Sequence, residues 1–78
     1  MLTQHGDARY KVVREKIYSE DSGEYVTFGI ECVDKFGKRV AFCADVSTDG
    51  ELVRGLCKAF NDGKLSPLHL ADVIEDVI

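Results

Sequence analysis

The chain has 78 residues, 45% hydrophobic and 31% charged, with a formal net charge of −4. That length holds one domain, and the apolar content excludes a disordered chain. Ten Lys and Arg are spread among fourteen Asp and Glu, which counts against a nucleic-acid partner, since that would need clustered cations.

No window has the apolar length of a signal peptide or a membrane span. The three cysteines, Cys32, Cys43 and Cys57, are odd in number and lack CxxC spacing. A disulfide framework would show an even set, so the expected compartment is the reducing cytoplasm.

Met1 to Ala8 has no periodicity and reads as a flexible leader to a single α+β domain over 9–78. Arg9 to Tyr18 is β-rich and ends at the turn cluster Ser19-Glu20-Asp21-Ser22-Gly23. Either face of this strand could be the buried one. The odd set (Lys11, Val13, Glu15, Ile17) is favoured inward, with Glu15 its one awkward acid, because an inward charge is tolerable on an edge strand.

Glu24 to Asp34 is the central strand, with Val26, Phe28, Ile30 and Cys32 alternating on one apolar face. Asp34-Lys35-Phe36-Gly37-Lys38 fits a three-residue hairpin loop with Gly37 in the left-handed position. The third strand, Lys38 to Val46, carries apolar Val40, Phe42, Ala44 and Val46. Pairing Asp34 with Lys38 keeps both even sets on one face, sets Ile30 opposite Phe42, and places Gly29 opposite Cys43 on the other face.

Thr48 with Glu51 reads as a capping box that starts a helix. Leu52, Val53, Leu56, Cys57 and Phe60 form its apolar stripe, and Gly63 is the expected left-handed residue after it. Ser66 and Pro67 open a last helix whose apolar face runs from Leu70 to Ile78. The expected fold is a three-stranded antiparallel meander followed by two helices packed on one face, β-β-β-α-α.

Two surfaces are candidates for interaction. Asp72, Glu75 and Asp76 share the polar side of the last helix, where like charges repel and oppose the helix dipole. They form either an acidic patch for a basic partner or, as charge runs usually do, a solvated face. The second is the outward face of the sheet, centred on Gly29 and Cys43 with Tyr25 nearby. A strand glycine marks either close approach by another backbone or ligand, or a local twist or bulge.

Cys57, His69 and Asp72 supply the residue types of a nucleophile, base and orienter. Cys57 lies on the apolar stripe, however, where a free thiol behaves as a small hydrophobe, so no catalytic residue is assigned. Zinc needs about four ligands at suitable spacing, and no metal or cofactor is expected.

Toward the tail, Asp45-Val46-Ser47 with Asp49, Asn61, and Leu65-Ser66-Pro67-Leu68-His69-Leu70 with Asp72-Val73 and Glu75-Asp76 resemble a family of small uncharacterised proteins from clostridia-like bacteria, a domain of unknown function. The resemblance covers about Tyr10 to Ile78. It implies a bacterial, cytoplasmic protein and carries over no activity. The expected function is a small non-enzymatic interaction or regulatory module, with self-association through the sheet as one form. The alternative is a small-ligand sensor using the uncovered sheet face or a gap beneath the helices.

Overall fold

Two three-residue turns lay out the sheet. The computed structural model describes residues 8–77; the expected leader, apart from Ala8, lies outside them, as does Ile78. Strands β1 (Arg9–Ser19), β2 (Gly23–Val33) and β3 (Arg39–Ser47) are antiparallel in the order β1-β2-β3.

In the first turn the Ser19 hydroxyl oxygen accepts from the Asp21 and Ser22 amides, and Gly23 takes a φ of +74°. In the second, Asp34 Oδ1 accepts from the amides of Phe36 and Lys38 at 2.9 Å each, and Gly37 sits at φ +82°. The Asp34 amide donates to the Lys38 carbonyl at 2.9 Å. That is the expected three-residue loop.

The first strand faces the opposite way from the expectation. Ser19 pairs with Gly23, and the register then runs without a break to Arg9 opposite Val33. All partner numbers sum to an even value, so the even residues of β1 share the buried side of Ile30 and Cys32. Tyr10 is buried and Val12 packs on the core. Arg14 and Lys16 are on the same side but exposed, because β3 reaches only as far as Phe28. Beyond that point β1 and β2 continue as a two-stranded ribbon.

The register of β3 also departs from the expectation. Val33 pairs with Arg39, as the hairpin requires, but shifts follow between Cys32 and Val33 and again between Phe28 and Ile30. Ile30 therefore faces Cys43 rather than Phe42, and Glu31 faces Phe42. Val40 and Phe42 turn outward, 48% and 38% exposed, while Ala41 and Cys43 pack on the core. The second bulge, at Asp45 with φ +52°, returns Val46 to the inside, where it is buried. The physical reason is that bulges insert residues that parity arguments on a regular ladder leave out.

Helix α1 (Gly50–Gly63) begins at Asp49, not Thr48. The Asp49 carboxylate accepts from the Glu51 and Leu52 amides at 3.0 and 3.3 Å, and an acid there also suits the helix dipole. The left-handed residue at its end is Lys64, φ +53°, with Gly63 still helical. Ser66 caps the next segment as expected, accepting from the Leu68 amide. A single 3-10 turn (Pro67–His69) leads into α2 (Leu70–Val77).

The core between sheet and helices comprises Tyr10, Ile30, Cys32 and Val46 against Val53, Cys57, Phe60, Leu70 and Ile74. The Tyr10 and Phe60 rings meet edge to face at 5.5 Å. Asn61 clasps the β1 edge: its Oδ1 accepts from the Tyr10 amide at 2.7 Å and its Nδ2 donates to the Tyr10 carbonyl at 3.1 Å. The carboxamide thus does what a neighbouring strand would do. The Tyr10 hydroxyl donates to the Leu65 carbonyl at 2.7 Å.

Replacing Asn61 by Ala leaves both Tyr10 backbone groups unpartnered and is expected to cost about 1–2 kcal/mol. Urea unfolding checks this, and an unchanged midpoint would show that the clasp contributes nothing.

Candidate interaction surfaces

The outer side of the sheet carries the odd residues of β1 and β2, as the register dictates. Val13 and Ile17 on β1, with Tyr25 and Val33 on β2, are half-buried among their neighbours. Val40 and Phe42 extend the apolar surface onto β3. Glu31 bonds Arg39 at 2.9 Å, and the Arg39 guanidinium lies 4.2 Å from the centre of the Phe42 ring. Both helices pack on the other side.

Gly29 is in the middle of this face but is not open. A Cβ built there would fall 2.6 Å from the Cys43 carbonyl oxygen and 3.2 Å from the Ala44 Cα. The close approach inferred from the sequence is made by the chain's own β3. Cys43, expected on the outer face beside it, is on the helical side. Tyr25 remains outward.

A polar node surrounds the crossing. The Thr27 hydroxyl, fully buried, shares its one proton between Asp45 Oδ1 at 2.6 Å and the Ser47 carbonyl at 3.1 Å. Glu15 Oε1 accepts from the Asp45 amide at 3.2 Å. These bonds hold the bulge together, and sequence reasoning missed them. The signal was an acid, Glu15, within an otherwise strand-like run.

Asp72, Glu75 and Asp76 are all exposed on α2, one polar side as expected. Leu68, in the 3-10 turn before α2, is also exposed. Cys57 and His69 do not combine: Cys57 is buried in the core and His69 is exposed.

A feature that the sequence did not disclose is a groove of about 590 Å³ at the end of the sheet. Ala8, Arg9 and Lys11 of the β1 end line it, with Val33 and the hairpin residues Asp34, Lys35 and Gly37, and with Asn61 and Lys64 from the end of α1. The cations are far apart in sequence, which is why reading along the chain did not group them.

A family model described as a family of unknown function, DUF6514, matches residues 2–78. The chain belongs to this family. No curated protein and no solved structure matches it. The expected resemblance to a domain of unknown function is thereby shown.

The thiols of this DUF6514 chain are free, and all three lie on the core side. Burial pushes Cys32, Cys43 and Cys57 above the ordinary thiol value of 9.0. Burial also raises the Tyr10 phenol, with the neighbouring Cys32 adding to it. Such thiols lack the thiolate character that nucleophilic cysteine chemistry needs. Among the described residues no group of His, Cys, Asp and Glu is placed to hold a metal ion, and no helix is long and apolar enough to cross a membrane.

An acid raised in the folded state keeps its proton where the unfolded chain loses it. The stabilisation is complete below pH 9 and is lost as pH rises through the raised folded values. Urea midpoints should therefore fall above about pH 9, and less steeply in Cys57→Ala; equal slopes would exclude Cys57 as a cause. In the native protein at pH 7.5, Cys57 should resist iodoacetamide until urea unfolds the chain.

Proposed function

We propose that this protein is a small non-enzymatic interaction module of the bacterial cytoplasm that pairs with a second copy through the outer face of its sheet. One observation carries the reading. That face bears Val13, Ile17, Tyr25, Val33, Val40 and Phe42, whereas a sheet face made for water alternates toward polar residues.

The charges on the face favour a second copy as the occupant. Consider a two-fold axis lying across the strands at the level of Val13 and Gly29, which pair with each other. Rotation about it lays β1 over the partner's β1 in reverse direction. Lys11 then meets the Glu15 position of the other copy, Val33 meets the Tyr25 position, and Val13 meets its own equivalent. An isologous interface needs this self-complementarity. Free thiols at all three cysteines support a reducing compartment, and the resemblance carried by the tail residues is what favours a bacterial setting.

Val13→Lys would place two ammonium groups against each other on the axis. Sedimentation across a concentration series should show a wild-type dimer and a folded monomer for the variant, with dimer dissociation raised at least about 100-fold. Wild-type protein that stays monomeric at every concentration overturns the reading. Gly29 is unsuited to this test, because any side chain there collides with β3 of the same chain.

A further inference from the structure

The groove at the sheet end concentrates positive charge in a chain whose net charge is −4. Arg9, Lys11, Lys35 and Lys64 line it, and none of them forms an ion pair with a described residue. The described cations that do have a close acid, Arg39, Arg54 and Lys58, lie elsewhere, and the other unpaired ones, Arg14, Lys16 and Lys38, lie outside the lining. Asp34 is the one acid in the lining, and its Oδ1 is already engaged by the Phe36 and Lys38 amides.

The end of α1 would oppose an anion through its carbonyls. Those carbonyls are partly answered, since the Lys64 amide donates to Asn61 and Phe60, and the Leu65 amide to Phe60. Asn61 is committed to Tyr10. What faces the groove is therefore cationic side chains on three separate elements, whose backbones are positioned by the clasp and the hairpin.

From this geometry we infer that the groove binds a small polyanion carrying clustered phosphate groups. Its volume falls within the range of small-molecule sites, roughly 300–1,000 Å³. Arg9 can grip one phosphate through two parallel N–H donors, and the lysines act as point charges around it. A small ligand suits the site better than a nucleic acid. The lining offers four cations and one acid, too few phosphate contacts for a polymer to gain much from counterion release. Lys11 and Val33 belong both to this lining and to the self-association face, whereas Lys35 and Lys64, of the hairpin loop and the end of α1, belong to the groove alone.

The test uses tripolyphosphate with the full chain at low ionic strength, read by calorimetric titration and by thermal melting. The wild type should bind and its melting temperature should rise, with both effects diminished at 0.15 M salt. The double variant Lys35→Gln/Lys64→Gly should bind at least about tenfold more weakly. It should still fold, because Lys35 is exposed and glycine accepts the left-handed backbone at position 64. The control Arg54→Gln/Lys58→Gln removes the same charge away from the groove and should bind like the wild type. Absence of binding by the wild type overturns the inference. Equal weakening in both double variants overturns it too, by showing a diffuse charge effect. Binding of a 20-nucleotide RNA without binding of tripolyphosphate would overturn it in favour of a nucleic acid. Sedimentation of the Lys35/Lys64 variant should match the wild type, which separates this site from the dimer face.

Discussion

The third strand can cross the second as closely as it does only because position 29 has no side chain. The Cys43 carbonyl and the Ala44 backbone occupy the space that a Cβ would need. Over that crossing β3 carries extra residues, and Asp45 adopts a left-handed backbone that asparagine and aspartate tolerate better than most. The strain is held by specific bonds: Thr27 to Asp45 and Ser47, and Asp45 to Glu15. With those made, Val46 swings inward and the chain arrives at Asp49 aimed to start α1 over the core. The bulge therefore sets both the outward side chains of β3 and the point at which the helical layer begins.

The far end of α1 is fixed by a different device. Asn61 supplies one acceptor and one donor to the backbone of Tyr10 on an edge strand, and an edge with paired groups is a poor template for another chain. Tyr10 returns the connection through its ring against Phe60 and its hydroxyl to Leu65. Helix and sheet are thus tied at both ends of α1, while Val53 and Cys57 fill the middle. In a chain this short, where a single core buries only a modest share of the surface, such polar ties fix orientation that apolar packing leaves free.

The element order, the two turns, the alternation of β2 and the Ser66 cap were legible because each rests on local chemistry: a glycine at positive φ, a period of two, a hydroxyl before proline. The facing of β1 was legible in principle. Parity through the Ser19–Gly23 turn settles it, but Arg14 and Lys16 on the inward set argued against it. They are tolerated because the ribbon outruns the helical layer, a fact of tertiary length and not of sequence. Phe42 and Val40 misled in the same way. Apolar identity suggested the core, and two bulges turned them out. Gly29 was recognised as a close-approach position, but what approaches it was fixed by register. Asn61 gave no signal beyond that of a helix-ending residue.

Net charge was the least informative quantity of all. It averages over surfaces farther apart than about one Debye length, roughly 8–10 Å in physiological salt, whereas a bound ion responds to the charges nearest it. Here the average hides a division. Asp72, Glu75 and Asp76 are exposed on α2, and the cations of β1, the hairpin and the end of α1 converge on one groove. Composition counts against an extended nucleic acid, which must lie across both kinds of surface. That objection does not apply to a ligand small enough to meet only one of them. Folding, by bringing Arg9 beside Val33 and Lys64 beside the β1 end, gathers four cations around one acid in a chain whose net charge is −4.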